Sequence, residues 1–307
     1  MLYIYNIWLG CQGVILMVNL KMKMPKLDLI KHFEGLPAKI FTRAQIEEIL
    51  SENREFWRLS NSTTVHSLIN FMLAQTKLES VKFEFPNRNI MRYTWGKVPS
   101  YEIINSLKPD SYFTHYTAVY LYELTEQIPK TVYLNFEQSR KVNRDKKLEQ
   151  SRIDAAFKRR VRVSNNIALY NDHKICILNG MYTGQLGVTE IEGPEGAQIR
   201  ATNIERTLID ITVRPVYAGG VFEVLKAYRL AKGKVSVNKL AAMLKKLDYI
   251  YPYHQAIGFY LDKSGVYKES SIKLLRKFDM NYDFYLTYEM KDTSYSKKWR
   301  LYFPKGF

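Results

Sequence analysis

A chain of 307 residues with 46% hydrophobic and 25% charged residues has enough apolar side chains for globular cores, which excludes a disordered or fibrous class. Two cysteines, Cys11 and Cys176, give no disulfide framework and no CxxC site, and five histidines stand without HxxxH or HExxH spacing, so neither a metal nor another cofactor is expected. The formal net charge of +16 fits a chain that meets a polyanion, the plain alternative being a basic but inert surface.

The first 24 residues read as an extension upstream of the true start. Residues 2–20 are long and apolar enough to resemble a membrane span, yet hold Asn6, Gln12 and Asn19, and Met17, Met22 and Met24 follow closely.

Residues 25–99 read as a first domain. KLDLIKHF is a short helix with Leu27, Ile30 and Phe33 inward, and FTRAQIEEIL opens on a capping box of Thr42 and Gln45. STTVHSLINFMLAQTKLE carries Val65, Leu68, Ile69, Met72 and Leu73 at i, i+3, i+4, i+7 and i+8, a full apolar stripe. VKFEF and IMRYTW, joined by PNRN, read as a hairpin. Three helices and a hairpin are the order of a winged helix-turn-helix. If the stripe is inward, Thr63, Thr64, His66, Ser67 and Asn70 face outward near a helix start, where short polar side chains reach base edges or phosphates. Arg43, Arg88 and Arg92 would add phosphate or minor-groove contacts. A solvated helix beside a surface turn is the plain alternative.

Residues 100–220 read as a mixed α/β middle domain. YFTHYTAVYLYELT is a buried helix pattern, and QIPKTVYLNF a strand beginning after Pro129. Residues 140–162 hold ten Lys or Arg against three Asp or Glu, so Arg140, Lys141, Arg144, Lys146, Lys147, Arg159 and Arg160 are candidate phosphate contacts, or else a solvated helix and its flanks. HKICILNG and QLGVTEIEG read as strands. GMYTGQLG lacks the GK[ST] of a phosphate-cradling loop. In ATNIERTLIDITVRPVYAGG, Thr202 and Glu205 have capping-box spacing, and Ile204, Leu208 and Ile211 share a face. Arg206 and Asp210, four apart, can meet, and with Arg214 they read as a structural tether rather than a catalytic dyad. Residues 221–307 read as a helical portion closed by two strands, DFYLTYEM and KKWRLYFP. The expected class is therefore α+β: a winged helix-turn-helix, then a mixed α/β domain with a helical C-terminal portion.

Three segments in this order, THYTAVYLYELTEQIPKTVYL, ATNIERTLIDITVRPVYAGG and YPYHQAIGFYLDKSG, resemble the AbiEi family of antitoxins and transcriptional regulators. The resemblance runs from about residue 40 to the end, and the first 25 residues have no counterpart in it. It implies an N-terminal winged helix that binds inverted repeats in double-stranded promoter DNA and represses its own operon. It also implies a C-terminal part, acting in the cytoplasm and not at a membrane, that neutralises a co-encoded nucleotidyltransferase toxin in the type IV manner, without requiring a stable complex. The loop SENREFWRLSN before the candidate recognition helix is longer than a compact helix-turn-helix requires. Two other classes remain: a DNA-directed metal-dependent nuclease using Glu190, Glu192 and Asp172, which no Asp followed by a well-placed Glu-x-Lys supports, and a DNA-tethered interaction module.

Overall fold

The computed structural model describes residues 26–140 and 148–307, an α+β chain in two compact units. The first unit holds residues up to Glu84 with Arg88–Ile103; the second holds Phe85–Asn87 with Ile104–Phe307. The proposed N-terminal extension lies outside the described residues, as do Lys141, Arg144, Lys146 and Lys147.

In the first unit, α1 (Lys26–Gly35) leads to β1 (Ile40–Phe41), α2 (Arg43–Asn53), α3 (Val65–Gln75) and the strands β2 (Leu78–Phe85) and β3 (Arg88–Trp95). The sheet order is β1-β3-β2, and β1 pairs antiparallel with β3 through Ile40 with Thr94 and Phe41 with Tyr93. Both major helices start where the sequence says they should. Thr42 accepts from the Gln45 amide while Gln45 Oε1 accepts from the Thr42 amide (2.8 Å), and Thr64 makes the same reciprocal bonds with Ser67. Each box pairs N–H groups that the first helical turn leaves without intrahelical partners.

The core of this unit collects Leu29, Phe33, Ile46, Leu50, Trp57, Leu68 and Met72. Two sequence expectations shift. Leu27 points to solvent and Leu29 is buried instead, and on α3 Leu73 is exposed while Phe71 is inward. In each case one position of the expected stripe gives way to a residue two places earlier or later, while Phe33 and Val65, Leu68, Ile69 and Met72 stay buried, because neighbouring elements as well as the periodic stripe choose the covered face.

The second unit is built on a six-stranded mixed sheet, order β6-β7-β5-β4-β9-β8, from β4 (Tyr112–Phe113), β5 (Thr131–Glu137), β6 (Ile167–Tyr170), β7 (His173–Gly180), β8 (Val188–Glu192) and β9 (Gln198–Thr202). The central pairing of β5 with β7 is parallel, and β4 pairs antiparallel with β5 but parallel with β9. IALY and QIRAT, not anticipated as strands, are β6 and β9; both are short runs whose pairing depends on partners elsewhere in the chain. YFTHYTAVYL divides into β4 and the short helix α5 (His115–Leu121), after α4 (Ser100–Asn105).

Helices α6 (Gln150–Lys158), α7 (Ile204–Val213), α8 (Val221–Leu230), α9 (Val237–Leu247), α10 (Tyr253–Ser264) and the turn α11 (Glu269–Ile272) complete the unit with a small sheet. That sheet has three strands rather than two: β10 (Phe284–Tyr285), β12 (Leu301–Pro304) and β11 (Thr293–Ser296), in that order. One apolar core runs from Val119 through Leu208, Ile211, Val224, Tyr228, Leu240, Ile257 and Tyr260 to Trp299 and Leu301. Residues on either side of position 220 thus share one core, and the middle and C-terminal segments form one unit.

Gly258 faces the Trp299 indole so closely that an added Cβ would lie 2.1 Å from its ring. Trp299 is fully buried and donates from Nε1 to Asp262 (3.0 Å), so the indole cannot slide away. Gly258→Ala is therefore expected to destabilise by about 1–3 kcal/mol or more, as overpacking does; a thermal melt unchanged from wild type would show that the packing against Trp299 can relax.

Candidate functional site

Two places gather the side chains that the sequence points to, one in each unit. On the first unit the N-terminal part of α3 presents Thr64, His66 and Asn70 to solvent, with Thr63 and Ser67 half-buried. These groups are partly committed to one another. Ser67 Oγ donates to Thr64 O (2.8 Å), and His66 Nε2 lies 3.1 Å from Asn70 Nδ2, one turn on. Such i,i+4 contacts fix rotamers but leave hydroxyl lone pairs and the amide edge free for a ligand.

Arg43, at the start of α2, and Arg88, at the hairpin, are exposed. Arg92 is not: it is buried within β3, donates to Met91 O (2.8 Å), and burial with the nearby Arg88 charge lowers its pKa. It leaves the candidate contact set, because β3 is buried at every residue from Arg92 to Trp95 rather than on alternate ones.

The long loop before α3 is held by a residue that sequence reasoning passed over. Arg54 donates from Nη1 to Ser60 O (2.7 Å) and from Nη2 to Thr63 O (3.0 Å), so one guanidinium closes the segment between α2 and the Thr64 cap. An Arg directly after the last helical turn, with a polar run beyond it, was the only signal.

In the second unit, Arg140, Arg159 and Arg160 are exposed. Beneath the sheet ends lies a buried polar centre. Arg206 Nε donates to Asp210 Oδ1 (2.7 Å), Arg206 Nη1 donates to Leu186 O (2.7 Å), and Thr114 donates to Asp210 Oδ2 (3.0 Å). The pair is almost fully covered, at 6% and 8% side-chain exposure. Burial disfavours the charged guanidinium, but the adjacent Asp210 outweighs it and holds the Arg206 pKa above its usual value.

The network continues outward. Arg206 Nη1 also reaches Thr183 Oγ1 (3.2 Å), and Glu137 accepts from the Thr183 amide (2.8 Å), the Thr183 hydroxyl and Tyr112 OH (3.1 Å). Burial raises the Glu137 pKa, and these hydrogen bonds together overcome it and lower it. Gly187, at φ 80°, permits this approach: a Cβ there would stand 2.8 Å from Arg206 Cβ.

The expected cap of α7 is corrected. Asn203, not Thr202, is the N-cap, accepting from the Arg206 amide (2.9 Å). Thr202 ends β9 and shares a hydroxyl contact with Thr207 (2.9 Å), while Glu205 accepts from the Ser236 amide (2.9 Å) and so ties α7 to the start of α9. Thr202 is taken up as the last residue of β9, paired with Val188, so the helix starts one residue later.

His115 follows β4 in a left-handed conformation, φ 52°, and its Nδ1 is sealed from solvent without a partner among the described residues. Burial pushes its pKa down to about 4, with Asp210 opposing and the Arg206 and Arg214 charges assisting. Glu190 and Glu192 lie exposed on the edge strand β8 and Asp172 in the β6–β7 turn. Among the described residues no three His, Cys, Asp or Glu side chains gather as a metal site, and no helix is long and apolar enough to cross a membrane.

No known family model matches the sequence, and no curated protein matches it. Among solved structures, the crystal structure of RV2827C protein from Mycobacterium tuberculosis is similar, with a TM-score of 0.55 at 13% identity over 90% of this chain and 89% of that one. At that identity the likeness is one of fold alone.

Removing one partner of the buried pair leaves an uncompensated charge, so Arg206→Ala is expected to cost on the order of 3–5 kcal/mol. A melting temperature equal to wild type would refute a structural role. Two half-buried histidines set a pH dependence. The folded His115 pKa of about 4, and a similar value of about 4 that burial gives His254, lie below the ordinary 6.5. The folded state therefore binds fewer protons between these values, and stability present above pH 6.5 falls as pH drops toward 4. His115→Asn with His254→Asn should flatten that slope in denaturant titrations; an unchanged slope would assign it to carboxylates.

Proposed function

We propose that the first unit is a winged helix-turn-helix that binds duplex DNA, and that the protein is an autorepressor and antitoxin. In this reading it counteracts a co-encoded nucleotidyltransferase toxin in the cytoplasm, without a stable complex and without catalysis of its own. The observation that carries the DNA-binding half is the exposed polar start of α3. Val65, Leu68, Ile69 and Met72 are buried, so Thr64, His66 and Asn70 face outward on the part of a helix that enters a major groove, and Arg43 and Arg88 supply cations beside it. The element order helix, strand, two helices and hairpin, closed into the sheet β1-β3-β2, supports the winged-helix reading.

Further support comes from charge. The excess of +16 lets Lys and Arg displace counterions from phosphates, the main source of sequence-independent affinity. The antitoxin half rests on the three sequence segments that resemble the AbiEi family. The absence of catalysis is supported by the commitment of Arg206 and Asp210 to each other and to Thr114 and Leu186, which leaves no free acid or base in that pair.

In a gel-shift titration against the fragment upstream of its own gene, the full chain should retard the DNA, and affinity should fall steeply with salt. Arg43→Glu with Arg88→Glu should weaken binding and lower the log–log salt slope by about 0.9 for each phosphate that is no longer neutralised. No retardation, or a flat salt response, overturns the DNA-binding reading. Co-expression with the adjacent toxin tests the antitoxin half: growth not restored by the wild-type chain rejects it.

A further inference from the structure

Among the described residues the six-stranded sheet ends at β6 on one side and β8 on the other, and the registers fix which backbone groups face outward. Residues of an antiparallel pair bond to each other at alternate positions, and those between turn their N–H and C=O away. On the β6 side, Asn166 O accepts from the Ile177 amide (3.0 Å), while Lys174, opposite Leu169, donates its amide to Lys130 O just before β5 (3.0 Å). Leu169, 71% exposed, therefore presents its N–H and C=O beyond the sheet. Ile167 presents its C=O, its amide donating to Asn165 O (2.9 Å).

The β8 side obeys the same rule. Gly193 donates to Ala197 O (2.8 Å) and Asn203 to Gly187 O (2.7 Å), whereas Arg200, opposite Glu190, donates its amide to Asn105 Oδ1 (2.9 Å) instead of to β8. Glu190 and Glu192 thus hold the outward positions. Glu190 O takes the Thr189 hydroxyl only at 3.4 Å, and a carbonyl keeps a second lone pair.

The two edges match in direction and in face. Through β9 and β4, β8 runs parallel to β5; through β7, β6 runs against it, so a β6 laid beside β8 in a continued sheet is antiparallel to it. Opposed residues share a face, as do alternate residues of one strand. The partners Leu169, Lys174 and Thr131 connect through Asn135 and Tyr112, and across the Phe113–Ala201 pair, to Arg200 and Glu190. Ile167, Leu169, Lys174, Glu190 and Glu192 accordingly lie on one face of the sheet.

Charge tells the edges apart. Arg160, Arg162 and Lys174 are exposed around β6, where residues 159–174 hold four Lys or Arg against Asp172 alone. Ser164 Oγ donates to Ile177 O (3.0 Å), so the chain already runs beside β7 there and carries Arg162 to the end of that edge. Glu190, Glu192 and Glu195 are exposed on β8 and its turn, and the nearby Arg200 is engaged by Gln185 and Asp110. Pairing β6 with β6, or β8 with β8, opposes like charges; pairing β8 with β6 opposes unlike ones.

We propose that β8 of one copy pairs antiparallel with β6 of a second copy, so that the six-stranded sheet continues from chain to chain. Because the two surfaces differ, each added copy leaves an edge open, and the assembly extends as a row or closes as a ring. The contact uses only the second unit and is independent of DNA binding by the first.

Sedimentation velocity on the full chain tests this. The wild type should form species larger than a dimer whose share rises with protein concentration. Leu169→Pro removes an outward amide without touching a bond to β7, and Glu190→Lys with Glu192→Lys reverses the charge of β8; each variant alone should lose assembly. Mixed in equal amounts, the two should form a dimer and nothing larger, because one offers only its β8 and the other only its β6. A wild type that stays monomeric at every concentration overturns the proposal, as do assemblies that persist in either variant or a mixture without the dimer. Should Leu169→Pro fail to fold, a charge swap decides: Arg160→Glu with Arg162→Glu should be monomeric, and adding Glu190→Lys and Glu192→Lys to that chain should restore assembly. A swapped chain that stays monomeric overturns the proposal.

Discussion

Arg206 and Asp210 sit one helical turn apart on α7, and both charges are withdrawn from water. Such a pair is tolerated only when hydrogen bonds surround it, and here they come from distant parts of the second unit. Asp210 takes the Thr114 hydroxyl at the end of β4, while Arg206 reaches Leu186 O and Thr183 in the segment between β7 and β8. Through Thr183 the same network reaches Glu137 at the end of β5 and Tyr112 in β4. One buried pair thus ties α7 to β4, to β5 and to the segment that joins β7 to β8.

This constraint propagates through α7 to the C-terminal helices. Glu205, on the same helix, accepts from the Ser236 amide and places the start of α9, and Thr212 meets the Tyr228 hydroxyl of α8 (2.8 Å). Hydrogen bonds in a low-dielectric interior are costly to leave unmade, so these bonds select one arrangement among several that apolar packing alone would accept.

The first unit follows a different logic. Its core is apolar, and its polar residues act at helix ends. Thr42, Thr64 and Arg54 satisfy backbone groups at the ends of α2 and α3, so the surface that carries Thr64, His66, Asn70, Arg43 and Arg88 is held by caps rather than by buried charge. A face fixed in this way suits the DNA binding proposed for it, in which counterion release would dominate.

Local signals in the sequence determined much of this. Capping boxes at Thr42 and Thr64, the buried stripe of α3, the hairpin around Asn87, and the pairing of Arg206 with Asp210 all depend on residues within about four positions of one another, and such spacing is visible in one dimension. What only tertiary structure decided depends on distant partners. The strands β6 and β9 exist because β7 and β4 pair with them, and β9 carries the α7 cap from Thr202 to Asn203. Arg92 is buried because β3 is covered on both faces from Arg92 to Trp95, and the second oxygen of Asp210 is taken by Thr114, ninety-six residues away. Spacing along a chain records which groups can meet; which of them remain unmatched emerges only when separate segments compete for the same atoms.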